Sequence, residues 1–343
     1  MIMRKKIFIK TIKPVFVFLL VFSILGGIGC SKATLSEPIT VTGYKLNTYV
    51  RIDSYTNVSK SVLQEALNLC DAYEKLFSRT LTESTLYKVN SGEITEIPEE
   101  LGLLIQYGLD YSRLSGGAFD ITIGSVSRLW DFTAEKPVVP DSSEIIEALE
   151  YVNYKNVSLT KNTDGTYHIE MPENTILDLG AIAKGYIADR IKDYLLANNV
   201  NNAVINLGGN VLCVGGKSSV NDFVIGVKKP FTQTNEVLVT LKLNDISVVS
   251  SGTYERYFYD GDTFYHHILN PHTGYPYENA LTSVTILSHN SVDGDCLSTT
   301  CFALGLDDGM ALIESLSDIE AVFVTEDGSI HYSGGADKYL YQL

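Results

Sequence analysis

The sequence predicts an α+β fold, with antiparallel and mixed sheets and helices packed around them. Three observations lead there. The second half of the chain is rich in short strand-like runs joined by turns of antiparallel length. Helical periodicities gather in blocks. Strands and helices nowhere alternate in the regular manner of a parallel sheet.

The chain opens on a segment outside that fold. Residues 1–29 carry five basic side chains (Arg4, Lys5, Lys6, Lys10 and Lys13) and no acidic one, and an apolar run follows from Pro14 to Ile28. These are the charged and apolar regions of a secretory signal. The run ends in Gly27-Ile28-Gly29-Cys30-Ser31, which resembles a bacterial lipoprotein signal with Cys30 as the lipidated new N-terminus. The other reading is an uncleaved N-terminal anchor. Both place the rest of the chain outside the cytoplasm. The expected organisation is a signal peptide at 1–29, a tether at 30–43 and one folded domain at 44–343.

Within that domain the first expected element is a strand at 46–53. A helix at 61–77 follows, because Val62, Leu63, Ala66, Leu67, Cys70, Tyr73, Leu76 and Phe77 recur at helical spacing. Pro98 opens a second helix that Gly116-Gly117 ends. A third begins after Asp141, and a fourth spans 181–197, introduced by Leu179-Gly180. Further strands are expected at 167–171, 202–207, 222–228, 236–243, 246–250, 263–269 and 281–288. A last helix carries Asp295 and Thr299, whose four-residue spacing puts a carboxylate and a hydroxyl on one face.

Composition excludes some functions. The net charge of −15 becomes −20 once the cationic leader is removed. Such an acidic chain is a poor partner for nucleic acid, and it lacks a basic surface for anionic lipid. It also cannot neutralise a diphosphate with arginines alone, so a metal becomes important at any phosphate site. Cys70, Cys213, Cys296 and Cys301 form no CxxC pair and no zinc spacing, and are expected to be buried thiols.

Two stretches point to chemistry. Asp178-Leu179-Gly180-Ala181-Ile182-Ala183-Lys184-Gly185-Tyr186 offers a carboxylate, a glycine-bounded turn and a lysine. Asp295-Cys296-Leu297-Ser298-Thr299 offers the second carboxylate and hydroxyls. Hard oxygen donors beside a cation suit a Mg²⁺–diphosphate complex. Gly215-Gly216-Lys217-Ser218 only approaches a P-loop, because Val211 stands where its first glycine is needed. Gly116-Gly117-Ala118-Phe119-Asp120 reads as a helix end, with Asp120 either capping the next segment or facing a ligand. Asn206-Leu207-Gly208-Gly209-Asn210 reads as a turn or a close backbone approach. His266 and His267 precede the Asn270-Pro271-His272-Thr273-Gly274 turn; on a strand they point to opposite faces, so at most one serves a site.

The joint order of these segments closely resembles the ApbE family of bacterial flavin transferases: GAFD, DLGAIAKG, NLGGN, the Ser251–Arg256 stretch, HHILNPHTG and DCLST. The resemblance runs from about Thr48 to about Gly305. It implies Mg²⁺-dependent transfer of FMN from FAD, through a phosphoester, to a Thr or Ser of an acceptor flavoprotein subunit modified in trans, releasing AMP. The alternative is a flavin-binding lipoprotein that stores FAD or hydrolyses it to FMN and AMP. The family's metal ligands map to the Ala181 carbonyl, Asp295 and Thr299. Its FAD contacts map to Ala118, Phe119, Asp120, Asp178, Lys184, Ile268 and Ser298, with Leu46 where a methionine is common. The resemblance selects His267 as the base for the acceptor hydroxyl, with Asp295 mainly a ligand. Asn270 stands where the family usually has Asp, and Thr80 where an aromatic is common.

Overall fold

The computed structural model describes residues 34–232, 234 and 236–341. The expected signal segment and Cys30 lie outside the described residues. The framework is an eight-stranded sheet whose strands neighbour one another in chain order: Thr34–Lys45, Thr48–Thr56, Ala203–Leu207, Asn210–Val214, Ser247–Gly252, Leu281–Ser288, Glu320–Thr325 and Ile330–Tyr332. Every neighbouring pair is antiparallel. The expected fold class is therefore observed, with antiparallel pairing throughout this sheet.

The first strand corrects the expected tether. Residues from Thr34 onward pair with the next strand, Ile39 opposite Ser54 and Lys45 opposite Thr48. Leu46, expected inside a strand, instead occupies the turn of that hairpin with Asn47, at φ of 53° and 56°. Two left-handed residues give the turn a twist that matches its flanking strands.

Between Thr56 and Ala203 the chain leaves the sheet to build a helical layer. Its helices include Lys60–Phe77, Glu99–Leu114 and Ser142–Leu149, with a small sheet of Glu96–Ile97, Tyr167–Glu170 and Ser158–Lys161. The apolar stripe of Lys60–Phe77 buries Leu63, Ala66, Leu67, Cys70 and Phe77, as its periodicity predicts. Glu99–Leu114 ends as Gly116-Gly117 foretells. Gly116 N donates to Arg113 O at 3.0 Å and Gly117 N to Ser112 O at 2.9 Å, with φ of 63° and 95°. This is the paired closure of a Schellman motif, which needs a residue free to enter the left-handed region.

Two helices return the chain to the sheet and frame the site, Ala183–Ala197 and Ser291–Leu304. The strand Leu281–Ser288 is buried along its whole length. Val284 and Ile286 pack in a cluster with Leu297, Cys301 and Phe302 of the second helix. Leu287 joins Val248 and Val322 in a separate cluster. The four cysteines at 70, 213, 296 and 301 are free and buried, as expected.

Candidate active site

The site forms where the two helices cross. A helix begins with orphan backbone N–H groups, and Ile182, which precedes Ala183–Ala197, has no side chain to satisfy them. Asp295 does so from the other helix: its Oδ2 accepts the Gly185 N–H at 2.5 Å. The exchange is reciprocal. Asp189, on the Ala183–Ala197 helix, accepts the N–H groups of Ser291 and Val292 at 2.8 and 3.0 Å, at the start of Ser291–Leu304. Each helix thus supplies the carboxylate that caps the other, and acidic groups at N-termini are further favoured by the helix dipole. The crossing is tight because residue 185 is glycine. A Cβ there would lie 2.3 Å from Ser291 O and 2.7 Å from Val292 Cα.

Asp295 is buried, and its other oxygen, Oδ1, accepts Asn210 Nδ2 at 3.1 Å. Burial pushes its carboxyl up; nearby Lys184 and the bonds from Gly185 and Asn210 work against that. One turn on, Ser298 donates to Asp295 O at 3.0 Å. Ser251 Oγ lies 2.8 Å from Ser298 Oγ and 3.1 Å from Thr299 Oγ1. With the Ser298 proton committed to a carbonyl, Ser251 donates to Ser298 and Thr299 donates to Ser251. The lone pairs of Thr299 therefore remain available as a hard donor. No described residue donates to the Ala181 carbonyl, one turn before Gly185, because the Gly185 N–H is turned to Asp295.

This donor set fits Mg²⁺. It is one carboxylate, one hydroxyl and one carbonyl, all oxygen. Among the described residues no group of three or more His, Cys, Asp or Glu side chains could hold a metal by itself, so further oxygens must come from water or from a ligand.

Asp178, three residues before Ala181 in the chain, is braced. Its Oδ2 accepts Ser127 Oγ at 2.8 Å and pairs with Arg79 Nε at 3.1 Å, and its Oδ1 accepts Gly180 N at 3.0 Å. In GAFD, Asp120 is turned onto neighbouring backbone and hydroxyl donors. Its Oδ1 accepts both the N–H and hydroxyl of Thr122 at 2.8 and 2.6 Å, and its Oδ2 accepts Tyr154 N at 2.9 Å. Phe119 is buried in the main core. The Ala118 carbonyl accepts Tyr277 OH at 2.7 Å.

The expected strand 263–269 ends at His266, because the backbone there turns to local partners. The Ile268 N–H donates to His266 Nδ1 at 3.3 Å, and the Ile268 carbonyl accepts Tyr277 N at 3.0 Å. Ile268 itself is buried in the cluster with Phe302. His266 Nε2 donates to Tyr277 O at 3.0 Å, and its ring meets Phe302 edge-on at 5.7 Å. His266 is a packed, satisfied side chain. His267 differs. Its N–H donates to Arg256 O at 3.1 Å, while Nδ1 is buried with no hydrogen-bond partner. Burial, then the charges of Arg256, His266 and Lys184, push its pKa down to about 3. The imidazole is neutral at neutral pH and belongs to the same neighbourhood as Lys184.

Sequence reasoning missed Asn210, Ser251, Ser291, Asp189, Arg79 and Ser127 as site residues. Asn210 and Ser251 lay inside stretches already singled out. Asp189 and Arg79 carried no local signal at all.

A sequence model of the ApbE family matches residues 46–323. An FAD:protein FMN transferase of Klebsiella pneumoniae is 38% identical over 274 residues, covering 79% of this chain and 84% of the relative. One from Treponema pallidum is 31% identical over 289 residues, covering 80% of each. Among solved structures, the ApbE protein of Thermotoga maritima superposes with a TM-score of 0.80 at 31% identity, over 89% of this chain and 100% of that one.

Proposed function

The chain belongs to the ApbE family, and on that premise we infer that it is an FAD:protein FMN transferase. The observation that carries the reading is buried Asp295, held by Gly185 N–H and Asn210, beside Thr299 and Lys184. In this reading transfer is Mg²⁺-dependent, the acceptor is a Thr or Ser hydroxyl of an exported or membrane redox protein, and a lipid on Cys30 holds the enzyme at the membrane.

Ala181 O, Asp295 and Thr299 would hold the cation, which supplies charge neutralisation for the diphosphate and polarises the phosphorus. The acceptor oxygen bonds to the phosphorus of FMN as the bond to the AMP phosphate breaks. Lys184 stabilises the charge that gathers on the leaving phosphate. His267 takes the hydroxyl proton. A base with a pKa near 3 is weak; a diphosphate bound near Lys184, in the same neighbourhood, would favour the imidazolium and raise its basicity. Asp178, braced by Arg79 and Ser127, fixes the loop that presents Ala181.

Mass spectrometry of a candidate acceptor domain tests the reading, after incubation with the protein, FAD and Mg²⁺. Addition of FMN to a single Thr or Ser, abolished by EDTA, is expected. Release of FMN and AMP with every acceptor tested left unmodified would favour FAD hydrolysis instead.

A further inference from the structure

We propose that Asn210 is a positioning residue, whose carboxamide, oriented by Ser291, sets the Asp295 carboxylate in the attitude from which it binds a cation. The proposal rests on the reading of Asp295 as a metal ligand.

The geometry is a directed chain of hydrogen bonds. Ser247 Oγ donates to Ser291 Oγ at 2.9 Å, Ser291 Oγ donates to Asn210 Oδ1 at 2.8 Å, and Asn210 Nδ2 donates to Asp295 Oδ1 at 3.1 Å. All four residues are buried. The two ends of an amide are nearly identical in shape, so chemistry decides which end faces which neighbour. The Ser291 hydroxyl already accepts from Ser247, and its own proton requires an acceptor. The Asn210 oxygen takes it at 2.8 Å, which leaves the NH₂ group to face the carboxylate. A flipped amide would set its oxygen against the Asp295 carboxylate, and the Ser291 proton could then be taken only by Ser247, itself turned to Val211 O at the longer distance of 3.4 Å.

The chain closes on itself. Asp189 holds the Ser291 and Val292 N–H groups, and Asp189 lies on the helix whose Gly185 N–H holds Asp295. Asp295 is thus gripped at both oxygens, at Oδ2 by a helix backbone and at Oδ1 by an amide anchored to that same helix through Ser291 and Asp189. One donor on each oxygen stops the carboxylate from rotating and leaves lone pairs on both. Removing the Asn210 donor leaves Oδ1 buried and unpaired, free to swing away from Thr299.

Metal binding tests this. Mn²⁺ serves as the probe, titrated into the full chain with FAD present while free Mn²⁺ is followed by electron paramagnetic resonance. Asn210→Leu, close in shape but without polar atoms, should weaken Mn²⁺ binding by about tenfold or more, the range expected when a partner of a metal ligand is lost. Ser291→Ala should weaken it less, by freeing the amide to flip, and should cost nothing further in the Asn210→Leu background, because it acts through that amide. Raising Mn²⁺ to saturation should restore transfer in both variants. A parent that binds no Mn²⁺ would overturn the metal-site reading, and this proposal with it. A parent that binds Mn²⁺ no better than Asn210→Leu overturns the proposal alone, as do independent, additive losses in the double variant. If Asn210→Leu fails to fold, the smaller Ser291→Ala lesion decides: parental Mn²⁺ affinity in that variant overturns the proposal.

Discussion

Asp295 Oδ2 accepts the Gly185 N–H at 2.5 Å, across two helices that are 110 residues apart in the chain at this contact. One hydrogen bond therefore both caps the start of a helix and orients the carboxylate that we propose as a metal ligand. The residue pair makes fold and site a single construction.

Removal of that carboxylate should abolish metal-dependent turnover. The parent should bind FAD more tightly with Mg²⁺ than with EDTA, and Asp295→Ala should lose the difference while keeping weak metal-independent binding. Fluorescence titration with FAD reads both. Transfer by Asp295→Ala at the parental rate under limiting Mg²⁺ would refute the assignment.

Gly185→Ala should destabilise the protein by about 1–3 kcal/mol, the scale of overpacking in a close-packed interior. The added methyl meets backbone atoms of Ser291 and Val292, which no rotamer change can relieve. The helices must separate and carry Asp295 from its cap. Urea unfolding measures the loss, and a midpoint equal to the parent's would contradict the tight crossing.

The two histidines should separate cleanly. His267→Asn should lower FMN transfer by about 10²-fold or more, the usual scale for a general base, with little change in FAD affinity. His266→Asn should chiefly lower thermal stability, since the lost ring packs on Phe302 and bonds Tyr277. Transfer to an acceptor peptide and melting curves compare them. Small, equal losses of transfer would leave His267 a structural residue.

His267 also predicts a pH dependence of stability in the ligand-free protein. Its folded pKa of about 3 lies below the ordinary value of 6.5. Between those limits the unfolded chain binds a proton that the folded chain does not, so this contribution to stability falls as pH drops from 6.5 toward 3. Melting temperature against pH should decline less steeply over that window in His267→Asn. Parallel curves would mean that the imidazole titrates normally.

Cys30→Ala should leave the chain soluble or retained as an unlipidated precursor, with transfer by the folded domain unaffected. The basic leader, the apolar run and Gly29-Cys30 motivate this. Labelled fatty acid fed to cells should enter the parent and not the variant. A parent that never incorporates label is held by an uncleaved anchor instead.

The sequence by itself determined what depends on near neighbours and on order along the chain. The 3.6-residue period of Val62 to Phe77 marked a helix, the Gly116-Gly117 pair marked its successor's end, and the spacing of Asp295 and Thr299 put them on one helical face. The order of the segments carried the family resemblance. Only the tertiary structure decided which atoms meet. It made a sheet strand of the presumed tether from Thr34, put Leu46 in a turn, and closed Asp120 onto Thr122 and Tyr154. It also joined Asn210 to Asp295 across 85 residues and Asp189 to Ser291 across 102. The physical reason is that period and propensity act over a few residues and fix which face of an element is apolar. A buried hydrogen bond also requires direction and distance between elements, and these exist only after packing has set how the two helices cross.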